Sequence, residues 1–358
     1  MTISLTATVD PETSEFVSVV SRVLGCPVTA IDSIGGGRNS RVYRITCENF
    51  NQYVAKRYFT SRSEGRSRLD IEFSALQFLW EHGVRNIPQP IGADPDQGCA
   101  VYAYLDGTPI PTHTLTNADI DDAVRFLAGL KALRDTQESD SIPPASEACF
   151  SVQAILDNIE RRVRRLSQSR TDEAPYDALA DFLARGFLPS RDQIVRWCSA
   201  RLGTFGSSFT AVLPRQDQTL SPSDFGFHNA LRLRERGIVY LDFEHFGWDD
   251  PAKLIVDFVI HPAMELPQHL ARRFVSGLFK LFGEDRHLVG RTEVVYPLFG
   301  LTWCLILLNE FVPDDLLRRG FAGGASLRTH DLQMAQLAKT KRLLHLVMGE
   351  YEHFPYRV

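Results

Sequence analysis

Segments with the residue pattern of β-strands are concentrated in the first third of the chain. After residue 106 the spacing of apolar residues becomes helical and stays so to the C-terminus, apart from residues 221–246. A chain of 358 residues is longer than one typical hydrophobic core supports. The sequence therefore predicts an α+β protein with two lobes. Residues 1–106 form a small antiparallel-sheet lobe with one main helix, and residues 107–358 form a larger, mainly helical lobe.

The predicted small lobe has a defined order of elements. Apolar residues at helical spacing predict a lead-in helix over residues 11–24. Alternating segments at residues 41–45 and 53–59 predict a β-hairpin. Ser67 is predicted to cap the next helix, whose apolar stripe and stop are Phe73, Leu76, Leu79, Trp80 and Gly83. Two further strands are expected around residues 90–93 and 100–104.

Composition and charge exclude several classes of protein. Hydrophobic residues make up 44% of the chain and charged residues 23%, which is typical of globular proteins and excludes a mainly disordered chain. Lys and Arg number 39 against 44 Asp and Glu, for a net charge of -5. Such a surface offers no broad attraction to a polyphosphate backbone, so nucleic acid is not expected as a partner.

Cysteine spacing and hydropathy indicate the compartment. The six cysteines lie far apart with no CxxC pair, so neither a zinc site nor a disulfide framework is predicted. The N-terminus lacks a basic start followed by an apolar run. The most apolar stretch, residues 294–308, contains Pro297 and is too short to span a bilayer. We therefore expect a cytoplasmic protein with reduced thiols, a buried helix over this stretch and no membrane association.

Three consecutive glycines, Gly35, Gly36 and Gly37, precede the hairpin, and Lys56 lies on its second strand. A dinucleotide-binding fingerprint would need a helix directly after the glycines, and neither a Gly-Lys-Ser/Thr loop nor a GxSxG elbow occurs. Strand, loop, strand, lysine and helix is instead the order in which an ammonium binds nucleotide phosphates and a helical glutamate holds it. Glu72 is the best candidate for that glutamate. The alternative makes Lys56 an edge-strand lysine and Glu72 a surface acid.

A second group of polar residues lies far downstream. Asp224 and Asn229 are five residues apart in a predicted loop, and Asp242 ends an apolar strand. Phosphoryl transfer to a hydroxyl needs a carboxylate that deprotonates the acceptor and oxygen ligands that hold Mg²⁺ on the nucleotide. These three residues supply that set. The alternative is an Asx-rich turn with a structural role, but the order of the set, after a glycine loop and a strand lysine, favours the catalytic interpretation.

Together these motifs resemble the aminoglycoside phosphotransferase and choline kinase family of small-molecule kinases, over about residues 31–257. The resemblance implies a bilobal protein-kinase-like fold and ATP or GTP as donor with Mg²⁺. It implies that Asp224 is the catalytic base and that Asn229 and Asp242 bind the metal. It also implies that Lys56 binds phosphate and pairs with Glu72.

The resemblance assigns two further segments and shows one departure. The three glycines correspond to the nucleotide flap. Tyr102, Ala103, Tyr104 and Leu105 correspond to the hinge that receives the adenine through backbone groups. Family members usually have a histidine that braces the catalytic loop two residues before the aspartate, where this chain has Pro222, and commonly a glycine where it has Ser223. The change bears on the geometry of the loop.

Four residues near these motifs receive secondary roles. Asp250 is predicted to cap a helix that begins at Pro251. Asp257 on the same helix is given a structural supporting role. His228 is interpreted as a hydrogen-bonded structural histidine. Glu244 can contact the metal or the acceptor, or serve neither.

The acceptor is a small-molecule hydroxyl that the sequence does not identify; an amino sugar, a sugar and a choline-like alcohol all remain open. Acids attract amines and aromatic rings cover sugars or quaternary ammonium groups. Candidates to line the acceptor site, or alternatively the core, are Trp248, Asp249, Glu265, Tyr296, Trp303 and Glu310.

Two other functions remain open. A catalytically degenerate nucleotide-binding or scaffold protein is supported by Pro222, but the intact set of Lys56, Asp224, Asn229 and Asp242 argues against it. A protein kinase is disfavoured because the sequence has no His-Arg-Asp triplet, no Ala-Pro-Glu and no activation segment. The sequence leaves ATP versus GTP and the oligomeric state undetermined.

Overall fold

The computed structural model describes residues 2–4, 11–36, 39–59, 67–169, 173–322 and 329–357. The chain forms two compact units. One unit, which we call the sheet unit, comprises Met1–Ile110, Asn229–Phe246 and Leu317–Ser326. The other, which we call the helical unit, comprises Pro111–His228, Gly247–Leu316 and Leu327–Val358.

The strands and helices confirm the predicted α+β class. The strands are β1 (Thr2–Ser4), β2 (Val28–Gly36), β3 (Ser40–Cys47), β4 (Gln52–Tyr58), β5 (Pro90–Asp94), β6 (Cys99–Ala103), β7 (Gly107–Pro109), β8 (Thr219–Ser221), β9 (Ala230–Leu233), β10 (Gly237–Tyr240) and β11 (Gly247–Asp249). The α-helices are α1 (Pro11–Leu24), α2 (Arg68–Glu81), α3 (Asn117–Ala132), α4 (Val152–Gln168), α5 (Ala174–Asp181), α6 (Leu188–Gly203), α7 (Pro251–Ile260), α8 (Gln268–Leu281), α9 (Leu288–Ile306), α10 (Pro313–Phe321) and α11 (Thr329–Glu350).

The main sheet of the sheet unit is antiparallel, in the order β1-β2-β3-β4-β6-β5. Its β3–β4 hairpin is the predicted one, and Val42 of β3 lies opposite Lys56 of β4. Strands β1 and β2 were not predicted from the sequence. The glycines were expected in a loop, whereas Gly35 and Gly36 end β2 and lie opposite Val42 and Arg41. A glycine-rich strand end was missed because it lacks the apolar alternation by which strands are recognised.

Helices α1 and α2 lie between strands of this sheet in the chain and contribute residues to the core beneath it. Phe16, Val19 and Val20 of α1 are buried in a cluster with residues of β2, β3, β4 and β6. Helix α2 begins as predicted, because the Ser67 hydroxyl accepts the Asp70 N–H at 3.2 Å. Its buried face differs from the predicted stripe, since Phe73 and Trp80 are only half-buried. The buried residues of α2 are Leu69, Glu72, Ala75, Leu76 and Leu79.

A second, small sheet brings a distant part of the chain into the sheet unit. Hairpin β9–β10 is antiparallel, and β9 also pairs with β7. A Cβ at Gly107 would lie 2.9 Å from Leu233 Cδ1 and 3.0 Å from Leu231 Cβ, so any larger residue would force β7 and β9 to shift or Leu233 to repack. Asn86, in the segment before β5, holds the hairpin. Its backbone carbonyl accepts the Tyr240 N–H, and its side-chain amide donates to the Ile238 carbonyl.

The helical unit is built around α7 and α9. Every residue of α7 is buried, and Asp250 caps it as predicted by accepting the Ala252 N–H at 2.8 Å. Within the described residues, one helical stretch, Leu288–Phe311, has the length and apolarity of a membrane span, and 83% of its most apolar window is buried inside the protein. This confirms the predicted buried helix, which contains Pro297. Strands β8 and β11 pair antiparallel and flank the predicted catalytic loop and α7.

Candidate active site

Lys56 lies in the sheet unit at the centre of a group of carboxylates. Its ammonium donates to Glu72 of α2 at 2.6 Å and to Asp242 at 3.0 Å. Burial disfavours the ammonium, but the charges of Asp242, Glu72 and Glu244 raise the pKa of Lys56 well above its usual value. The structure thus brings two of the predicted site residues, Glu72 and Asp242, to the charged Lys56.

Two tyrosine hydroxyls hold Glu72 from the other side. Tyr58 donates to Glu72 at 2.6 Å, and the Tyr58 and Tyr102 hydroxyls are 2.9 Å apart. Burial and the charge of Glu72 raise the pKa of both tyrosines well above the usual value, so both stay protonated. The sequence analysis missed Tyr58. It is two residues after Lys56 on one strand, so the alternation of side chains was a signal that places both on one face.

The β9–β10 hairpin positions Asn229 and Asp242 at one of its ends. Ala230 lies opposite Tyr240, and the next residues outward are joined because the Leu241 N–H donates to the Asn229 carbonyl at 2.8 Å. Asp242 follows directly, with a left-handed backbone of φ 64°. Its side chain is 32% exposed, so its carboxylate can still reach a ligand while one oxygen accepts from Lys56.

Glu244 completes the oxygen-rich cluster. It is buried and accepts from Asn39 and from Arg68, the latter at 3.0 Å. Burial opposes its ionised form, but the hydrogen bond from His245 and the charges of Lys56 and Arg68 lower the pKa of Glu244 to about 2. Carboxylate oxygens of Glu72, Asp242 and Glu244 lie within 4.8 Å of one another. A set of oxygen donors at this spacing fits a hard cation such as Mg²⁺.

The glycines lie at the end of β2, in the same unit as Lys56. Gly35 has φ 128°, a conformation that favours glycine. Gly37 lies outside the described residues. On the facing strand, Arg41 donates to the Phe321 carbonyl at 2.6 Å and its guanidinium lies 4.6 Å from the Phe321 ring centre. The C-terminal end of α10 therefore supports the strand opposite the glycines, which the sequence did not indicate.

The four predicted hinge residues fall into two pairs. Tyr102 and Ala103 belong to β6, which is hydrogen-bonded to β4 and β5 on its two sides. The Ala103 N–H donates to the Gln89 carbonyl, so this donor is already used by the protein. Tyr104 and Leu105 lie beyond the strand, and the Leu105 carbonyl accepts the Gly107 N–H at 3.1 Å.

Asp224 belongs to the helical unit, where two histidines face its carboxylate. The Nε2 atoms of His228 and His261 lie 3.1 Å and 3.4 Å from Oδ1 of Asp224. The two rings are stacked with centres 4.0 Å apart. His261 Nδ1 accepts the Ala263 N–H, so a neutral His261 carries its proton on Nε2, directed to Asp224. The sequence gave no local signal for His261, which is 37 residues away.

Packing fixes the loop that carries Asp224. The ring of Phe225 stacks on Phe126 and on Phe258, with centres 5.7 Å apart in both pairs. A side chain at Gly226 would lie 2.7 Å from His228 and 2.9 Å from Met264, so this position requires glycine. The loop is therefore held by a core of aromatic residues, although the side chain of Asp224 is 36% exposed.

A buried lysine that the sequence analysis overlooked lies beneath this loop. Lys253 of α7 donates to Asp249 and contacts Asp257, each at 2.9 Å. It also donates to the Ser223 hydroxyl at 2.9 Å. The two acids are four residues on either side of Lys253, a spacing that forms ion pairs on a helix and was a readable signal.

The predicted acceptor-site candidates mostly belong to the core. Trp248, Asp249, Tyr296 and Glu310 are buried within the helical unit, in agreement with the alternative that they belong to the core. Their apolar neighbours remove them from solvent because the strands and helices that carry them are internal. Glu265 is exposed and Trp303 is half-buried. The Trp303 ring packs edge-on against His261 with centres 4.3 Å apart.

The chain matches a known protein family by sequence profile. The sequence profile of the phosphotransferase enzyme family matches residues 30–290. No curated protein matches the chain in sequence.

Several solved structures share the fold across nearly their whole length. A spectinomycin phosphotransferase, solved with ADP and spectinomycin, has a TM-score of 0.60 at 12% identity and covers 90% of this chain and 98% of its own. A choline kinase from Streptococcus pneumoniae has a TM-score of 0.60 at 13% identity, with coverage of 94% and 99%. A choline kinase from Cryptosporidium parvum has a TM-score of 0.58 at 12% identity, with coverage of 96% and 100%. The protein-kinase-like fold predicted from the sequence is confirmed.

Proposed function

The chain belongs to the phosphotransferase enzyme family, and on that premise we propose that it transfers the γ-phosphate of ATP or GTP to a hydroxyl of a small molecule. The observation that carries this proposal is the Lys56 ammonium held between Glu72 and Asp242. An ammonium fixed in this way is a point charge for nucleotide phosphates. The solved relative with bound ADP supports a nucleotide as donor.

We assign the sheet unit to the nucleotide and the metal. Lys56 binds the phosphates, and Glu72 with Tyr58 holds Lys56 in place. Gly35, Gly36 and Gly37 form the flap, and Tyr102, Ala103, Tyr104 and Leu105 form the hinge for the base. Because Tyr104 and Leu105 lie beyond β6, they are the better placed to offer backbone groups. We propose that the predicted nucleotide-binding lobe, residues 1–106, carries these contacts.

Asn229 and Asp242 are proposed as the ligands of Mg²⁺, because both offer oxygen and lie at one end of a hairpin. When bound, the cation neutralises charge that develops on the nucleotide phosphates. Glu244 is held by Arg68 and Asn39, and we assign it to organising the cluster.

Asp224 is proposed as the catalytic base. It takes the proton of the acceptor hydroxyl while the hydroxyl oxygen forms a bond to the γ-phosphorus and the bond to the β-phosphate oxygen breaks. The nucleoside diphosphate then leaves with the electron pair of that bond. His228 and His261 direct their Nε2 atoms to one carboxylate oxygen, which orients the carboxylate. We place the acceptor in the part of the chain after residue 107, near Asp224 and Trp303, and the protein in the cytoplasm.

A test of this function measures ADP release from Mg·ATP over a panel of amino sugars, sugars, choline-like alcohols and nucleosides. For the acceptor that gives turnover, Asp224→Asn should lower kcat by about 10²–10⁴ and leave nucleotide affinity nearly unchanged. Asp331→Asn, an exposed aspartate of α11, is the matched control. Unaltered turnover in Asp224→Asn would remove Asp224 from the mechanism. Stabilisation by Mg·ATP without phosphate transfer to any acceptor would instead favour the scaffold alternative.

A further inference from the structure

The residue directly before Asp224 has a strained backbone. Ser223 has φ 67°, in the left-handed region that side chains with a Cβ avoid. The Asp224 N–H donates to the Pro222 carbonyl at 2.9 Å, which closes a three-residue turn around Ser223. A γ-turn with positive φ at its centre is the rarer and strained type. Such a conformation persists only where surrounding contacts hold it.

Lys253 supplies the strongest of these contacts. Its ammonium donates to the Ser223 hydroxyl at 2.9 Å, and its other two N–H groups match Asp249 and Asp257, each at 2.9 Å. Only 4% of the Lys253 side chain is exposed, and none of Asp249. Water therefore does not compete for the ammonium, and the hydrogen bond to Ser223 is charge-assisted.

A second chain of contacts runs from the same network to Asp224. Asp257 accepts the indole N–H of Trp303 at 2.9 Å. The Trp303 ring packs against His261, and His261 Nε2 lies 3.4 Å from Asp224. The Lys253 network thus contacts Asp224 in two ways. It holds the backbone before Asp224 through Ser223, and it contacts the Asp224 carboxylate through Trp303 and His261.

We propose that Lys253 is a positioning residue for phosphoryl transfer, which holds the strained turn at Ser223 and thereby fixes the direction of the Asp224 carboxylate. The inference rests on the proposed role of Asp224 as base. Pro222 has no N–H to contribute. Besides the backbone hydrogen bond that closes it, the turn is held by two side-chain contacts, from the Lys253 ammonium to the Ser223 hydroxyl and from the Ser223 N–H to the Ser221 hydroxyl. A base displaced by about 1 Å costs up to about 10²-fold in rate.

The test begins at Ser223, where Lys253 keeps both carboxylate partners and the fold is retained. Ser223→Ala keeps the strain and loses the hydroxyl, whereas Ser223→Gly removes the strain as well. We expect kcat to fall about tenfold in Ser223→Ala and less in Ser223→Gly, with KM for the nucleotide within about twofold. Hydrogen exchange of amides 223–228, measured without nucleotide, should quicken most in Ser223→Ala. Ser139→Ala, a buried serine of the same unit that bonds Arg134 and Thr136, is the control and should change neither.

Lys253→Met extends the test, with Arg291→Met as a matched loss of a buried cation, since Arg291 binds Asp250 and Asp285. Lys253→Met should lower kcat about 10²-fold, whereas Arg291→Met should lower stability without that loss. Exchange and kcat at wild-type values in Ser223→Ala would overturn the role of Lys253. Failure of the wild-type protein to phosphorylate any acceptor would overturn the proposed function, and the exchange data would still decide whether Lys253 holds the turn.

Discussion

Lys56 in the sheet unit and Lys253 in the helical unit are both buried between two carboxylates, and the two networks differ in their access to solvent. Asp242, the partner of Lys56, has a side chain that is 32% exposed. Of the two partners of Lys253, Asp249 is fully buried and the side chain of Asp257 is 12% exposed. Each lysine also holds a residue with a left-handed backbone, Asp242 at φ 64° and Ser223 at φ 67°.

This difference separates two uses of one interaction. An exposed carboxylate can exchange a lysine for a ligand, so the Lys56 network is suited to binding. In the Lys253 network the carboxylates are at most 12% exposed, so water competes little for its hydrogen bonds and the network is suited to holding geometry. Burial of the carboxylate partner, and not the ion pair itself, therefore distinguishes Lys56, which we propose binds phosphate, from Lys253, which we propose positions the catalytic loop.

The largest predicted difference between the two lysine networks is in their contribution to stability. Lys253→Met leaves two buried carboxylates without their cation, and the free energy of unfolding should fall by about 3–5 kcal/mol. Lys56→Met should cost less, because water can solvate Asp242 and Tyr58 still donates to Glu72. Urea denaturation measures both variants, and Lys280→Met, an exposed lysine of α8, is the control. If Lys253→Met and Lys56→Met lowered the free energy of unfolding equally, partner burial would not separate the two networks.

The second prediction concerns catalysis. Lys56→Met removes the charge proposed to bind phosphate, so kcat should fall by about 10²–10³ and the nucleotide affinity should weaken as well. Lys253→Met should leave nucleotide affinity unchanged, because Lys253 contacts the turn before Asp224 and not the residues proposed to bind the nucleotide. Titration with ADP and Mg²⁺ measures the affinities. A loss of affinity in Lys253→Met equal to that in Lys56→Met would contradict the assignment.

The third prediction is that the two networks respond to pH with opposite sign. Burial, only partly offset by Lys253, raises the pKa of Asp249 to about 6. The folded state then holds a proton that the unfolded state releases, and the free energy of unfolding falls by up to about 3 kcal/mol as pH rises from about 4 to 6. Glu244, with its pKa lowered to about 2, contributes stability above about pH 4.5 that is lost as pH falls toward 2.

Urea denaturation across pH 3 to 8 checks both slopes. Asp249→Asn should weaken the decline in the free energy of unfolding between about pH 4 and 6 without abolishing it, because burial also raises the pKa of Asp257. Glu244→Gln should flatten the loss of stability below about pH 4.5. Slopes of the same sign, or slopes that neither variant changes, would show that the two networks do not differ in this way.

The smallest effect tests whether the Lys56 network depends on the helix that carries Glu72. Ser67→Ala removes the cap of α2 and should lower the free energy of unfolding by about 1 kcal/mol. Ser74→Ala, at an exposed position inside the same helix, should change it little, since alanine is the better helix former. If both variants behave alike, the cap does not stabilise this helix.

Much of the fold could be predicted because its signals are local. The Ser67 cap, the stop at Gly83 and the start of α7 at Asp250 each depend on residues within one turn. The β3–β4 hairpin was predicted from alternation within two short segments. Strand β2 was missed because its glycine end has no alternation, and it becomes a strand by pairing with β3.

The candidate site was predictable in its chemistry and less so in its surroundings. Lys56, Glu72 and Asp242 stood out by residue type and order, and the structure brings their charged atoms together. His261 and Lys253 did not stand out, because their contacts with Asp224 and Ser223 join segments far apart in the chain. For the same reason the sequence left open whether Trp248 and Tyr296 line the acceptor site or the core, since their burial depends on elements far away in the chain.

The sequence by itself determined which charged groups are present, in what order, and on which local elements they lie, because caps, alternation and stops act over a few residues. Only the tertiary structure decided how far the carboxylate partners of two similar lysines are exposed to water, 32% for Asp242 beside Lys56 and at most 12% for the partners of Lys253. Desolvation is set by whatever packs around a group, and that packing comes from parts of the chain that are remote in sequence.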